Sequence, residues 1–243
     1  MGNFDIISSL AIVVFAALIH ASFQTSVSVL TLLSGHALGT KTAHLRLLRL
    51  TGSFIIGAGF FSLLLLSTLA LVLATIFPDG TPLIVWAISA GIAAGVGVSV
   101  WLFYYRRQHG TVLWLPRNVA DYLSSRAKST KQPAEAFALG MMSVVSEVVF
   151  LLAPLLITAL VLIRLEPAMQ LVGIGIYTVL SLTPLFVVYV LLGGGHSVAR
   201  IQRWREANKR FMQFAAGSGL LILGIYVYIE RVITLSVYSG VNV

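Results

Sequence analysis

Six stretches of this chain are apolar for the length of a membrane-crossing helix, and polar or basic segments separate them: residues 6–40, 52–77, 83–105, 136–163, 168–195 and 211–229. Crossing ~30 Å of hydrocarbon takes about 20 predominantly apolar residues in a helix, so each stretch predicts one span. Pro78, Gly80 and Pro82 mark a tight turn between the second and third spans, and Pro167 follows the fourth. The prediction is an all-α integral membrane fold of six transmembrane helices.

Composition agrees with the pattern. Only 10% of the 243 residues are charged and 58% are hydrophobic, with a mean hydropathy of +0.96; an ordinary globular domain carries about 25% charged residues. Six spans and their connections use the whole length, which predicts a single membrane domain over 1–243. It divides into a three-helix half over 1–105, a basic cytoplasmic loop over 106–135 and a second three-helix half over 136–243.

The net charge of +8 adds an orientation. Lys41, Arg46 and Arg49 follow the first span, Arg106, Arg107, Arg117, Arg126, Lys128 and Lys131 the third, and Arg200, Arg203, Arg205, Lys209 and Arg210 the fifth. Of the 16 basic residues, Arg164 and Arg231 alone fall on the other side. Lys and Arg accumulate in cytoplasmic loops, so both termini are expected outside the cytoplasm of a multi-pass protein of the cytoplasmic membrane. Basic loops beside apolar spans suit anionic lipid head groups as partners, not nucleic acid. From Pro116 to Lys131 the chain predicts a short helix lying on the membrane, with Val119, Tyr122 and Leu123 opposite Arg117, Arg126 and Lys128; a plain polar linker is the alternative.

Several chemistries lack their residues. There is no cysteine, which excludes disulfides, thiolate metal sites and thiol redox chemistry. HExxH, GxGxxG and P-loop motifs are absent, and Asp5, Asp79 and Asp121 lie outside the spans, so an intramembrane aspartyl pair has no raw material. Ser34 has no His on another span to serve it as a base. The N-terminus lacks the basic region of a cleavable signal, and Ile6 does not fit the myristoylation pattern. No enzyme and no cofactor are expected, and no metal-ligand set is readable.

Within the apolar stretches one charge remains. Glu147 lies in the fourth span, eleven uncharged residues beyond Glu135 and sixteen before Arg164. An ionisable group at the bilayer centre costs about 2.5–3.5 kcal/mol on insertion scales, so it faces a protein interior or a water-filled cavity and marks a functional site. Ser143 lies one turn before Glu147, and Thr158 continues roughly that face. On the first span His20 and Gln24 share a face at i, i+4 spacing, continued by Ser28 and Thr31. Glu147, His20, Gln24, Ser143 and Thr158 are the candidates for proton coupling or substrate binding. Each has a plainer reading: a neutral structural acid, a satisfied core histidine, interhelical hydrogen-bonding groups. Pro154 and Pro184 are candidate helix breaks, because each withholds the N–H that would bond the carbonyl of Phe150 or Leu180. Gly57, Gly91, Gly95, Gly217 and Gly224 are expected at close helix contacts, Gly91 and Gly95 in GxxxG spacing.

Laying Gln24 on Glu147 places His20 on Ser143, Ala17 on Gly140 and Thr31 on Pro154. The first and fourth spans run in opposite directions in this topology, so the match predicts a 3+3 inverted repeat, the architecture of many secondary transporters with the site near the midplane. A chance match of small residues is the alternative.

The order of parts resembles the lysine-exporter (LysE) superfamily, including its CcdA and DsbD membrane-domain branch. The likeness is carried by FQTSVSVLTLLSG in span one, FALGMMSVVSEVVFLLAP in span four, TPLFVVYVLLGG in span five and NKRFMQFAAGSGLLILGIYVY in span six. Where CcdA-like members would carry a cysteine, this chain has Thr25-Ser26-Val27 and Ser146-Glu147-Val148. The resemblance therefore implies a solute or ion exporter in place of a thiol carrier, in a superfamily whose substrates range over amino acids and metal cations. The expectation is a proton-coupled exporter of a small cationic or amine-bearing solute or metal ion, acting alone, as a homo-oligomer or with a partner membrane protein. The alternative from another class is a non-transporting scaffold or assembly subunit, with a passive channel third.

Overall fold

A computed structural model describes residues 3–23, 29–31, 33, 41–104, 117–195 and 198–234, and among them there is no strand. In chain order the helices are α1 (Asn3–Ser22), α2 (Lys41–Ile76), α3 (Leu83–Tyr104), α4 (Arg117–Ser129), α5 (Pro133–Leu162), α6 (Pro167–Ser181), α7 (Thr183–Gly193) and α8 (Val198–Val227), the last continuing as a π-helix over Tyr228–Ile233. Residues 29–31 and 33 are helical as well.

Four segments are long and apolar enough to cross a membrane: His44–Ile76, Leu83–Leu102, Pro133–Leu162 and Arg210–Ile233. The pair α6–α7, bent by 49° at Leu182, makes a fifth when taken as one span. The apolar part of α1, Ile6–Ser22, is shorter. This is the helix set of a multi-pass membrane protein.

Two of the basic segments that pattern alone reads as linkers are helix. Helix α2 begins at Lys41 and α8 at Val198, so Arg46, Arg49 and the run Arg200–Arg210 lie on polar first turns. Lys, Arg, Gln and Ala are strong helix formers, and nothing in these segments breaks the helix before the apolar part begins. At 1.5 Å per residue α2 is about 54 Å long, well beyond the hydrocarbon thickness. The true turn is at 77–82, where Gly80 adopts φ +118°, a left-handed conformation that suits glycine.

Helix α5 is the hub. Of its apolar window 67% is buried, against 33–39% for the other three long spans. Its start is defined by Pro133 in the first turn and by Glu135, whose Oε2 accepts the Lys131 and Gln132 amides at 2.8 and 3.2 Å. Helix α4 packs on it through Leu123 and Ala127, both buried at i, i+4 spacing, while Tyr122 is exposed beneath the Arg126 guanidinium. The apolar stripe of α4 is thus spent partly on protein, leaving Arg126, Lys128 and Lys131 exposed.

Packing runs mainly between the two halves. The most extensive contact is α2 on α5, then α3 on α8 and α1 on α6, whereas α1 shares little with α2, and α2 little with α3. Helix α1 also packs on α5 and α8, and α3 on α5. Glycine sets the closest crossings. A Cβ on Gly57 would meet the Phe137 backbone, and one on Gly140 the backbone of Phe54 and Ala58. At the α3–α8 contact, Gly97 faces the Gly217 carbonyl, and Gly224 faces Ala90 and Ala94. Gly91 and Gly95, expected at such a contact, are exposed, and a Cβ on either would meet nothing within 4 Å among the described residues. Their GxxxG spacing is real, but it lies on the outer face of α3, and Gly97, two residues past Gly95, turns to the partner.

Directions follow from the same contacts. Helices α2 and α5 run parallel: Arg46 Nη2 donates to the Lys131 carbonyl at 3.2 Å near their starts, and Gly57 meets Phe137 further on. Helices α3 and α8 are antiparallel, with Trp101 stacked on Phe214 at one end and the Arg231 guanidinium over the Trp86 ring at the other.

Candidate functional site

The candidate site lies where α1, α2, α5 and the α6–α7 bend meet. Its acid comes from the middle of α5: Glu147 is 2% exposed although its helix is otherwise uncharged over this stretch. His20, in the last turn of α1, is 6% exposed. Its Nδ1 and the Tyr177 hydroxyl of α6 share a hydrogen bond of 3.0 Å, whose direction follows the imidazole tautomer. The two rings lie 5.6 Å apart, and Tyr177 is fully buried.

His20 and Glu147 line one narrow cleft, partly open to the outside. Ala21 and Phe23 complete the α1 wall, Ala58 and Ser62 come from α2, Val144 from α5, and Ser181, Leu182, Pro184 and Leu185 from the bend. The Phe23 ring stacks on Phe150 at 5.4 Å, one turn beyond Glu147. In this conformation the interior has room for about one water molecule and not for an organic solute.

The bend has a local cause. Pro184 has no N–H to bond the Leu180 carbonyl, and the helix restarts with the Leu185 and Phe186 amides on the Leu182 carbonyl at 2.9 and 3.0 Å. Pro184 therefore stands at a break. Pro154, the other predicted break, lies inside an uninterrupted helix, buried together with its neighbours Ala153 and Leu155.

The other predicted residues scatter. Ser143 is fully buried one turn before Glu147, where its hydroxyl donates to the Gly140 carbonyl at 2.7 Å, outside the cleft lining. Thr158 lies eleven residues, about 16 Å, further along α5; its Oγ1 is buried without a hydrogen-bond partner among the described residues. Gln24 and Ser28 lie outside the described residues, as do Ser34, His36 and His196.

Ser62 and Tyr177 do not stand out in the sequence. A signal existed: Gly57-Ala-Gly-Phe-Phe-Ser62 on α2 recurs as Gly173-Ile-Gly-Ile-Tyr-Thr178 on α6, which sets Ser62 against Thr178 and Phe61 against Tyr177. Ser62 is 1% exposed, and its Oγ has no hydrogen-bond partner among the described residues.

Chemically the cleft offers one carboxylate, one imidazole tied to a phenol, and hydroxyls from Ser62 and Ser181. Among the described residues no three or more His, Asp or Glu side chains come close enough to hold a metal ion. No protein-family model matches the chain, nor does any curated protein or solved structure.

Proposed function

We propose that this chain is a secondary transporter of the cytoplasmic membrane, a proton-coupled exporter of a small cationic or amine-bearing solute or metal ion. Glu147 alternates between proton and cargo, with His20 beside it. The observation that carries the reading is the shared cleft: the one acid in the apolar runs and the buried histidine of α1 open onto the same space, beside a broken helix. Discontinuous helices beside an intramembrane acid are the usual setting of a transport site.

The packing supports a six-span, 3+3 inverted repeat. With α1 as the first span, exchanging the halves turns the α2–α5 contact into α6–α1 and the α3–α5 contact into α8–α1, and both members of each pair are present. Helices α2 and α5 run parallel; so do α1 and α6, Leu10 lying near Gly173 and His20 near Tyr177. The α2 and α6 glycine motifs are one further pair of counterparts. In this reading the narrow cleft is the closed state of an alternating-access cycle. Placing Gln24, Ser143 and Thr158 along the cargo's path belongs to the same proposal.

A proteoliposome assay tests it. Amino acids, amines and small cations are presented under an imposed pH gradient, and Glu147→Gln is expected to lose pH-coupled flux; unchanged flux in the variant rejects the mechanism. The scaffold reading draws on the cleft's narrowness. It wins if a stoichiometric membrane partner co-purifies and no solute moves.

A further inference from the structure

We propose that the cleft at Glu147 is a sodium site, with the Ser62 hydroxyl as a ligand beside the Glu147 carboxylate. The inference rests on the transport reading and names its cargo: sodium is the cation that alternates with the proton on Glu147.

Ser62 points to a ligand independently of the acid. A buried hydroxyl without a partner is costly in the empty protein, and native structures seldom retain one without reason. The Ser62 hydroxyl has no hydrogen-bond partner among the described residues, is 1% exposed and lines the same cleft as Glu147.

The surroundings decide the sign of the ligand's charge. Glu147 supplies a negative charge once its proton has left, and the Ser181 hydroxyl donates its proton to the Thr178 carbonyl at 2.9 Å, which leaves its own lone pairs for an incoming group. The first turn of α7 offers little to an anion, because Pro184 has no N–H and the Leu185 and Phe186 amides are bonded to Leu182. The lining thus favours a cation with a taste for oxygen.

Size and valence narrow it further. In this closed state the cleft has room for about one water, so a bare alkali ion can be held there if oxygen ligands replace its hydration shell, whereas a hydrated ion or an organic ammonium needs the cleft to widen. One carboxylate neutralises one positive charge, and a neutral pair is what a low-dielectric interior tolerates. The His20 Nδ1 is engaged by Tyr177, and no further carboxylate or imidazole clusters here among the described residues, so a divalent or transition-metal ion lacks its ligands.

The test is thermal unfolding of the purified protein in detergent, with NaCl exchanged for choline chloride at constant ionic strength. A saturable rise in the melting temperature with sodium is expected for the wild type. Glu147→Gln should lose the rise. Ser62→Ala should lose most of it; it should also melt higher than the wild type in choline, because a hydroxyl without a partner among the described residues is gone, whereas a serine with no part in binding would keep the full sodium response. No response of the wild type to sodium, or a full response in Ser62→Ala, overturns the proposal. Equilibrium binding of radioactive sodium to the wild type probes the same site without a variant: saturable binding supports it, and none overturns it. Failure here leaves the transport reading standing with another cargo, whereas pH-coupled flux that survives Glu147→Gln ends both.

Discussion

The hydrogen bond between His20 and Tyr177 joins residues 157 positions apart and ties α1 to α6 beside the cleft. Replacing Tyr177 with Phe keeps the ring and removes the hydroxyl, which leaves the buried His20 Nδ1 without its partner. Stranding a buried polar group costs about 1–3 kcal/mol, so Tyr177→Phe should melt measurably lower than the wild type in the same detergent. At this scale the sequence was informative where a residue was out of place. Glu147 is visible because a charge in an apolar run needs a reason, and His20 because it is polar at helical spacing from Gln24. Ser62 and Tyr177 were invisible for the opposite reason: serine and tyrosine are common in membrane spans, and only contact with another helix makes either one notable.

Helix contacts depend on faces, and a face depends on which neighbour the fold supplies. Gly57 and Gly140 each leave no space for a side chain where α2 crosses α5, because a Cβ would strike backbone that cannot move aside. Gly57→Ala and Gly140→Ala should each destabilise by roughly 1–3 kcal/mol, as overpacking does, while Gly91→Ala and Gly95→Ala, on the open face of α3, should be neutral; melting temperatures of the four variants compare them directly. Motif spacing marked Gly91 and Gly95 as readily as it marked a contact, since GxxxG describes a small-residue stripe and not what covers it. The proline pair divides in the same way. Both remove a donor, yet Pro184 stands at a 49° bend and Pro154, itself buried, within a continuous helix.

Over the whole molecule, basic residues gather at one end: Arg46 reaches Lys131, and Phe214, one turn past Arg210, stacks on Trp101, while Arg231 sits on Trp86 at the far end of the same helix pair. If that basic end faces the cytoplasm, tags at either terminus should be reached by an impermeant reagent from outside intact cells or spheroplasts; a protected N-terminal tag would reverse the topology. The sequence by itself determined the helical class, the long apolar spans and the acid buried in the fourth, because hydrocarbon admits only chain whose backbone bonds are satisfied internally and whose charges are few. Tertiary structure alone decided that α2 lies along α5 and α1 along α6, so that Ser62, Tyr177 and Ser181 join His20 and Glu147. Packing between apolar helices in lipid depends on shape and small-residue contact, with no hydrophobic drive to betray the partner in advance.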